Sequence, residues 1–134
     1  MPSRQSQHIL KPVVVIPFAA YTTSQTSSTV DLQGWNGLTF YVMLGTWTSG
    51  TQAFALWDSP DNTTFTLVDP TLIPDMIDSN GFVTVVDATL NGTLMSATYM
   101  GDKRYVQMRE VGASTPSSTF GGLAILSFPR NSLP

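Results

Sequence analysis

The stretch Leu38-Thr39-Phe40-Tyr41-Val42-Met43-Leu44 decides the fold. Leu38, Phe40, Val42 and Leu44 recur at every second position, the repeat of a strand with one face on a core; a helix would space them by three and four. Gly34 to Gly37, with its Asn36-Gly37 pair, reads as the turn before this strand, and Gly45 to Gly50 as the turn that closes it. Ala53 to Trp57 follows with Phe54 and Leu56 inward. Asp58-Ser59-Pro60-Asp61-Asn62 is dense with turn formers, since Asx side chains cap the backbone and proline fixes φ, and Phe65 to Val68 returns as a hairpin partner.

The same alternation of strands and turns extends to both ends. Upstream, Pro12 and Pro17 bracket the β-branched run from Val13, which reads as a short edge strand because proline cannot donate to a central ladder. A polar tract, Tyr21 to Ser28, separates it from a short strand at Val30-Asp31-Leu32. Downstream, Asp69 to Gly81 reads as a crossing loop with room for one helical turn. Phe82 to Val86, Leu94 to Met100, Tyr105 to Val111 and Phe120 to Phe128 are strands. Between them stand the Asn91-Gly92 turn, the charged Gly101-Asp102-Lys103-Arg104 turn and a loop from Gly112 to Ser118. Gly121-Gly122, inside the last strand, marks a bulge or a close backbone approach. Eight or nine short strands without a sustained helical period specify an all-β fold, an antiparallel β-sandwich of one domain over residues 13–129. Residues 1–12 read as an extended N-terminal arm and 130–134 as a short C-terminal tail.

Composition narrows the function. The chain has 134 residues, enough to bury roughly 70% of its unfolded surface without covalent staples. It contains no cysteine, so disulfides, thiolate metal sites and a cysteine nucleophile are excluded. Charged residues are 11% of the chain against the usual ~25%, and 32 residues are Ser or Thr instead. Six scattered basic residues and a net charge of −3 form no basic stripe for nucleic acid. The apolar run Val13 to Ala20 is too short to span a bilayer. It is a poor signal-peptide core because of its prolines.

Catalytic constellations are sparse. His8 is the one histidine and lies in the arm, a poor place for the base of a Ser-His-Asp arrangement, and His-based metal sites fail on count. Asp58, Asp61 and Asn62 follow neither the alternate spacing nor the glycine rule of a calcium loop, so Asx capping is the simpler reading. Asp87 and Glu110 could face each other across strands as a carboxylate pair, which spacing alone does not establish. No cofactor is called for. The aromatics, Trp47 above all in its polar loop, with Tyr21, could instead form a sugar-stacking platform, although large rings on sandwich strands more often pack in cores or subunit contacts. For the charged turn, a solvated hairpin turn capped by Asp102 and an anchoring turn in which Arg104 grips a carboxylate in bidentate fashion both remain open.

Three segments, Thr29-Val30-Asp31-Leu32-Gln33-Gly34, Trp57-Asp58-Ser59-Pro60-Asp61-Asn62-Thr63-Thr64-Phe65-Thr66 and Tyr99-Met100-Gly101-Asp102-Lys103-Arg104-Tyr105-Val106-Gln107, together resemble small virion structural proteins of tailed bacteriophages, of the capsid decoration or cement kind. Pro60 and Asn62 depart from that pattern, which there favours an acidic residue and glycine, and Gln107 stands where a basic residue is commoner. The resemblance implies a jelly-roll-like sandwich bound to the outer surface of an icosahedral capsid, stapling neighbouring major capsid protein subunits. It also implies assembly of the protein with itself as a homodimer or homotrimer, and a virion location after synthesis in the host bacterial cytoplasm. No nucleic-acid, membrane or catalytic role is expected. Arm and tail would lie across neighbouring subunits, and the candidate contact residues are Arg4, His8, Ile9, Lys11, Trp47, Asp102, Lys103, Arg104 and Arg130. A receptor- or carbohydrate-binding module of a fibre, or a tail or neck subunit, is the alternative.

Overall fold

The computed structural model describes residues 10–74 and 83–129. Among these, the strands are β1 (Leu10–Tyr21), β2 (Gln25–Thr26), β3 (Val30–Asp31), β4 (Trp35–Ser59), β5 (Thr66–Leu67), β6 (Val83–Val85), β7 (Leu94–Tyr99) and β8 (Tyr105–Pro129). All pairings are antiparallel. Short 3-10 turns lie at Pro70–Leu72 and Ala88–Leu90, each begun by an aspartate: Asp69 accepts the Thr71 N–H, and Asp87 the Thr89 N–H.

β4 and β8 form the spine, paired from Trp35↔Pro129 to Ser59↔Tyr105. Each has 25 residues. Straight, such a strand would reach about 80 Å, twice the ~36 Å diameter that a chain of this length fills. The pair therefore bends. Between Leu44↔Phe120 and Thr51↔Ala113 the pairing passes through Trp47↔Ser118 and Ser49↔Ser117. β4 gains one residue on its partner at each of the first two steps and β8 recovers both at the third, so the original register resumes beyond the bend. Gly50 takes φ +75° there, and a Cβ on it would lie 2.6 Å from Pro116 Cα and 2.7 Å from the Ala113 oxygen. Opposite it, Ser114 and Thr115 adopt φ of +58° and +57°.

The bend turns the spine into two layers. The first is ordered β1, late β8, early β4, β7; in the second, early β8 and late β4 are flanked by β2 and β3 on one side and by β5 and β6 on the other. The layers meet face to face: Phe54 of the second sets its ring edge-on to Phe120 of the first at 5.1 Å, and a Cβ on Gly122 would lie 2.5 Å from Met108 Cε. Leu38, Phe40, Val42, Leu44, Phe54 and Leu56 are buried between them, the alternation read from the sequence, and so are Val106 and Met108. The antiparallel sandwich is thus as expected.

The turn chemistry differs from the sequence reading in four places. Gly45–Gly50 and Gly112–Ser118 do not end strands: both segments turn together and stay paired, so eight or nine short strands become two long ones with short flanks. The first turn lies at Leu32–Trp35, closed by Trp35 N–H to the Leu32 oxygen at 2.9 Å with Gly34 at φ +88°, and Asn36-Gly37 already belongs to β4. Gly101–Arg104 is not a hairpin turn, because β7 and β8 each pair with β4, in different layers, and the segment crosses between them. Finally, Leu10, Lys11 and Pro12 pair with Ser127, Leu126 and Ile125, so strand structure begins inside the expected arm. The bulge expected at Gly121-Gly122 is present: β1 slips register opposite Gly122, and a Cβ on Gly121 would lie 2.8 Å from Phe18 Cα.

Candidate functional site

The segments 29–34, 57–66 and 99–107, far apart in sequence, converge at one end of the sandwich. β3 sets Asp31 opposite Tyr105, which aims the Asp31 carboxylate at the neighbouring Arg104. Arg104 grips it with the side edge of its guanidinium, Nε to Oδ1 at 2.8 Å and Nη2 to Oδ2 at 2.9 Å, and Nη2 also donates to Gln33 Oε1 at 2.5 Å. The Leu32 N–H donates to the Arg104 oxygen at 2.8 Å, and the guanidinium lies 4.9 Å from the Tyr105 ring centre. Held by Arg104, the Asp31 carboxyl sits below the usual carboxylate range, and the Arg104 guanidinium is pushed up in return. Both side chains remain 44% exposed, so the pair fixes geometry more than it adds stability. Of the two readings left open for Arg104, the bidentate anchor is the one formed, with Asp31 of the same chain as its carboxylate.

A second, buried part lies behind this pair. The Tyr99 hydroxyl, on β7 in the first layer, donates to Asp58 Oδ2 in the second at 2.7 Å and accepts the Lys103 N–H at 3.1 Å. Lys103 Nζ stands 3.6 Å from Asp58 Oδ1, and Thr66 Oγ1 donates to the same oxygen at 3.4 Å. Asp58 is 4% exposed. Burial first, and then the Asp58 bond, push the Tyr99 hydroxyl well above its ordinary pKa. Gly101 is required here, since any Cβ would stand 2.3 Å from the Tyr99 oxygen. Asp58 thus does something other than the Asx capping expected of its turn; Asp61 does the capping, accepting from the N–H groups of Thr63 and Thr64 at 3.0 Å. A hollow of about 190 Å³ opens above the cluster, lined by Leu32, Gln33 and Gly101 to Arg104.

The arrangement is a clamp: each of these polar groups is engaged by another, across both layers. Of the remaining candidate residues, Lys11 lies exposed in β1. Trp47 sits at the spine's bend, packed against the core, its indole N–H donating to the Gly50 oxygen at 2.9 Å and its backbone N–H to Asn91 Oδ1 at 2.9 Å. Tyr21, its partner in the sugar-stacking reading, packs against Phe120 and donates to the Pro17 oxygen. Arg4, His8, Ile9 and Arg130 lie outside the described residues. Asp87 is spent on its own 3-10 turn, and Glu110 is buried, accepting the Gln25 N–H at 3.0 Å. Sequence reasoning missed Tyr99–Asp58. The signal available was an aspartate at the end of an inward-alternating strand, where Phe54 and Leu56 already set the phase.

No family model and no curated protein sequence matches the chain. Solved structures do share its fold. The exported protein XepA of PBSX superposes over 92% of this chain at a TM-score of 0.57 and 16% identity. The SPBc2 prophage-derived protein YomS superposes over 90% of it, and over 96% of its own length, at a TM-score of 0.52 and 17% identity. The chain spans 39% of XepA.

Proposed function

We propose that the protein is a structural component of a bacteriophage virion, and that within the particle it binds the outer capsid surface and staples neighbouring major capsid subunits. The observation that carries this reading is the convergence of the three segments that resemble decoration proteins: they fold into one clamp, Asp31–Arg104 beside Asp58–Tyr99–Lys103, rather than lying apart. The likeness of fold to a prophage-derived protein supports the same class. A stapling protein needs a stiff body and surfaces repeated over a shell, where many weak contacts add through multivalency, and it needs no catalytic group. The clamp supplies stiffness by tying the two layers at one end, and Asp102 and Lys103, which line its hollow, are the groups this reading would set against the shell.

Co-sedimentation of the purified protein with shells that lack it tests the proposal. Saturable binding at a ratio that fits the capsid lattice is the expected result. Absence of binding to intact shells, with the protein folded, would overturn the capsid assignment and move the search to tail and neck assemblies.

A further inference from the structure

The outer surface of the first layer breaks the pattern that the second layer obeys. An antiparallel sheet packed on one side presents polar residues on the other. In the second layer the outward positions include Gln107 and Arg109, and the Arg109 guanidinium covers the rings of Trp57 and Phe65 at 4.5 and 5.5 Å. In the first layer the register places three rows outward: Leu94, Met43 and Gly121; Ser96, Tyr41, Leu123 and Val14; Thr98, Thr39, Ile125 and Pro12. No charged residue stands in them. Phe18 lies along Gly121, and Val14, Phe18, Leu94 and Met43 are 65%, 57%, 56% and 46% exposed. Between them runs an apolar groove of about 460 Å³ whose floor includes Gly121 and Gly122.

We infer that this face is covered by the same face of a second copy of the chain. Three features point to a copy rather than to another partner. Among the described residues the rows of this face carry no charge, in a protomer of net charge −3, so two copies meet there without repulsion and an unlike partner finds no ionic handle by which to be selected. It carries both a ridge, Phe18, and a glycine-floored groove beside it, so a two-fold axis lays each ridge over the opposite groove. Its size suits a weak, reversible dimer: the rows and Phe18 cover four strands about 4.8 Å apart and at most about seven residues of about 3.3 Å, about 440 Å² of sheet, at the small end of protein interfaces. The other exposed large hydrophobics, such as Leu67, Val86 and Val111, are not part of these rows. The inference does not depend on where in a virion the protein sits.

Light scattering on the purified chain at tens of micromolar should give twice the 14.5 kDa chain mass, or a higher even multiple. Met43→Lys should reduce it to the chain mass while the far-UV spectrum and a cooperative melt persist. A wild-type monomer, or a variant of unchanged mass, would overturn the inference. Because the chain has no cysteine, a second measurement avoids the risk of misfolding. Val14→Cys and Val111→Cys place single thiols at sites of similar exposure in the protomer, 65% and 59%. Thiol labelling should be an order of magnitude slower at position 14, and equal rates would overturn the inference.

Discussion

Two buried polar residues show how the sandwich handles charge in its core. Tyr99 donates to the buried carboxylate of Asp58, so Tyr99→Phe removes a donor and leaves that oxygen dry, a change that costs about 2–3 kcal/mol. Asp58→Asn retains an acceptor for Tyr99 and should cost less; denaturant titration of both variants gives the order. Glu110 behaves differently. It is 2% exposed with one backbone donor, and burial pushes its carboxyl up to about 7 from 4.5. The folded protein holds this proton to about pH 7 while the unfolded chain releases it near 4.5, so the contribution is full below 4.5 and lost as pH rises through 7. Stability should fall by about 2–3 kcal/mol across that interval. Asp31, Asp61, Asp69 and Asp87, all held low by hydrogen bonds, act in the opposite sense at more acid pH. Glu110→Gln should flatten the profile between pH 4.5 and 7, read as the denaturation midpoint against pH; an unchanged slope would assign the titration to another group. Both residues stand in the inward phase, Asp58 after Phe54 and Leu56 and Glu110 after Val106 and Met108, but Asp58 sits in a run of turn formers and Glu110 beside Arg109, and alternation alone does not name the groups that meet them inside.

At the scale of elements, period-two alternation gave the strand identities, and the phase of Leu38 to Leu44 and of Phe54 and Leu56 was legible because one face of each is fully buried. What alternation could not reveal is whether a glycine cluster ends a strand or bends it. Gly45 to Gly50 and Gly112 to Ser118 look like two hairpin loops, yet they lie opposite one another, and their paired backbones satisfy each other through the bend. The outer apolar face had a signal in the same stretch: Phe40 to Leu44 is apolar at every position, the mark of a strand covered on both sides. The two adjacent glycines of β8 provide a graded test of close packing. A Cβ at Gly121 meets the Phe18 backbone, whereas one at Gly122 meets the terminal methyl of Met108, the far end of an unbranched side chain. Gly121→Ala should therefore cost about 1–3 kcal/mol and Gly122→Ala clearly less. Thermal melts of the two variants check the order, and the reverse order would mean that β1 yields more readily than the core.

For the whole molecule the decisive feature is that the two layers share their central strands. In a sandwich built from separate hairpins one sheet can loosen while the other persists; here β4 and β8 run through both, and fraying one layer pulls on the other's ladder. Phe54 against Phe120 and Tyr99 to Asp58 add ties across the interior. Unfolding should accordingly be one transition. The chain carries its own reporters, since its three tryptophans are spaced along β4: Trp35 in the first layer, Trp47 at the bend and Trp57 in the second. Three variants, each keeping one tryptophan and replacing the other two with phenylalanine, isolate these positions. Each variant will shift the midpoint through its own packing losses, so its fluorescence midpoint is compared with its own far-UV midpoint. Coincidence in all three is expected of a two-state domain. A Trp57 signal that moves ahead of the backbone signal would show that the second layer, with its two- and three-residue flanking strands, opens by itself, and the stiffness that a stapling role requires would then be confined to the first layer and the clamp.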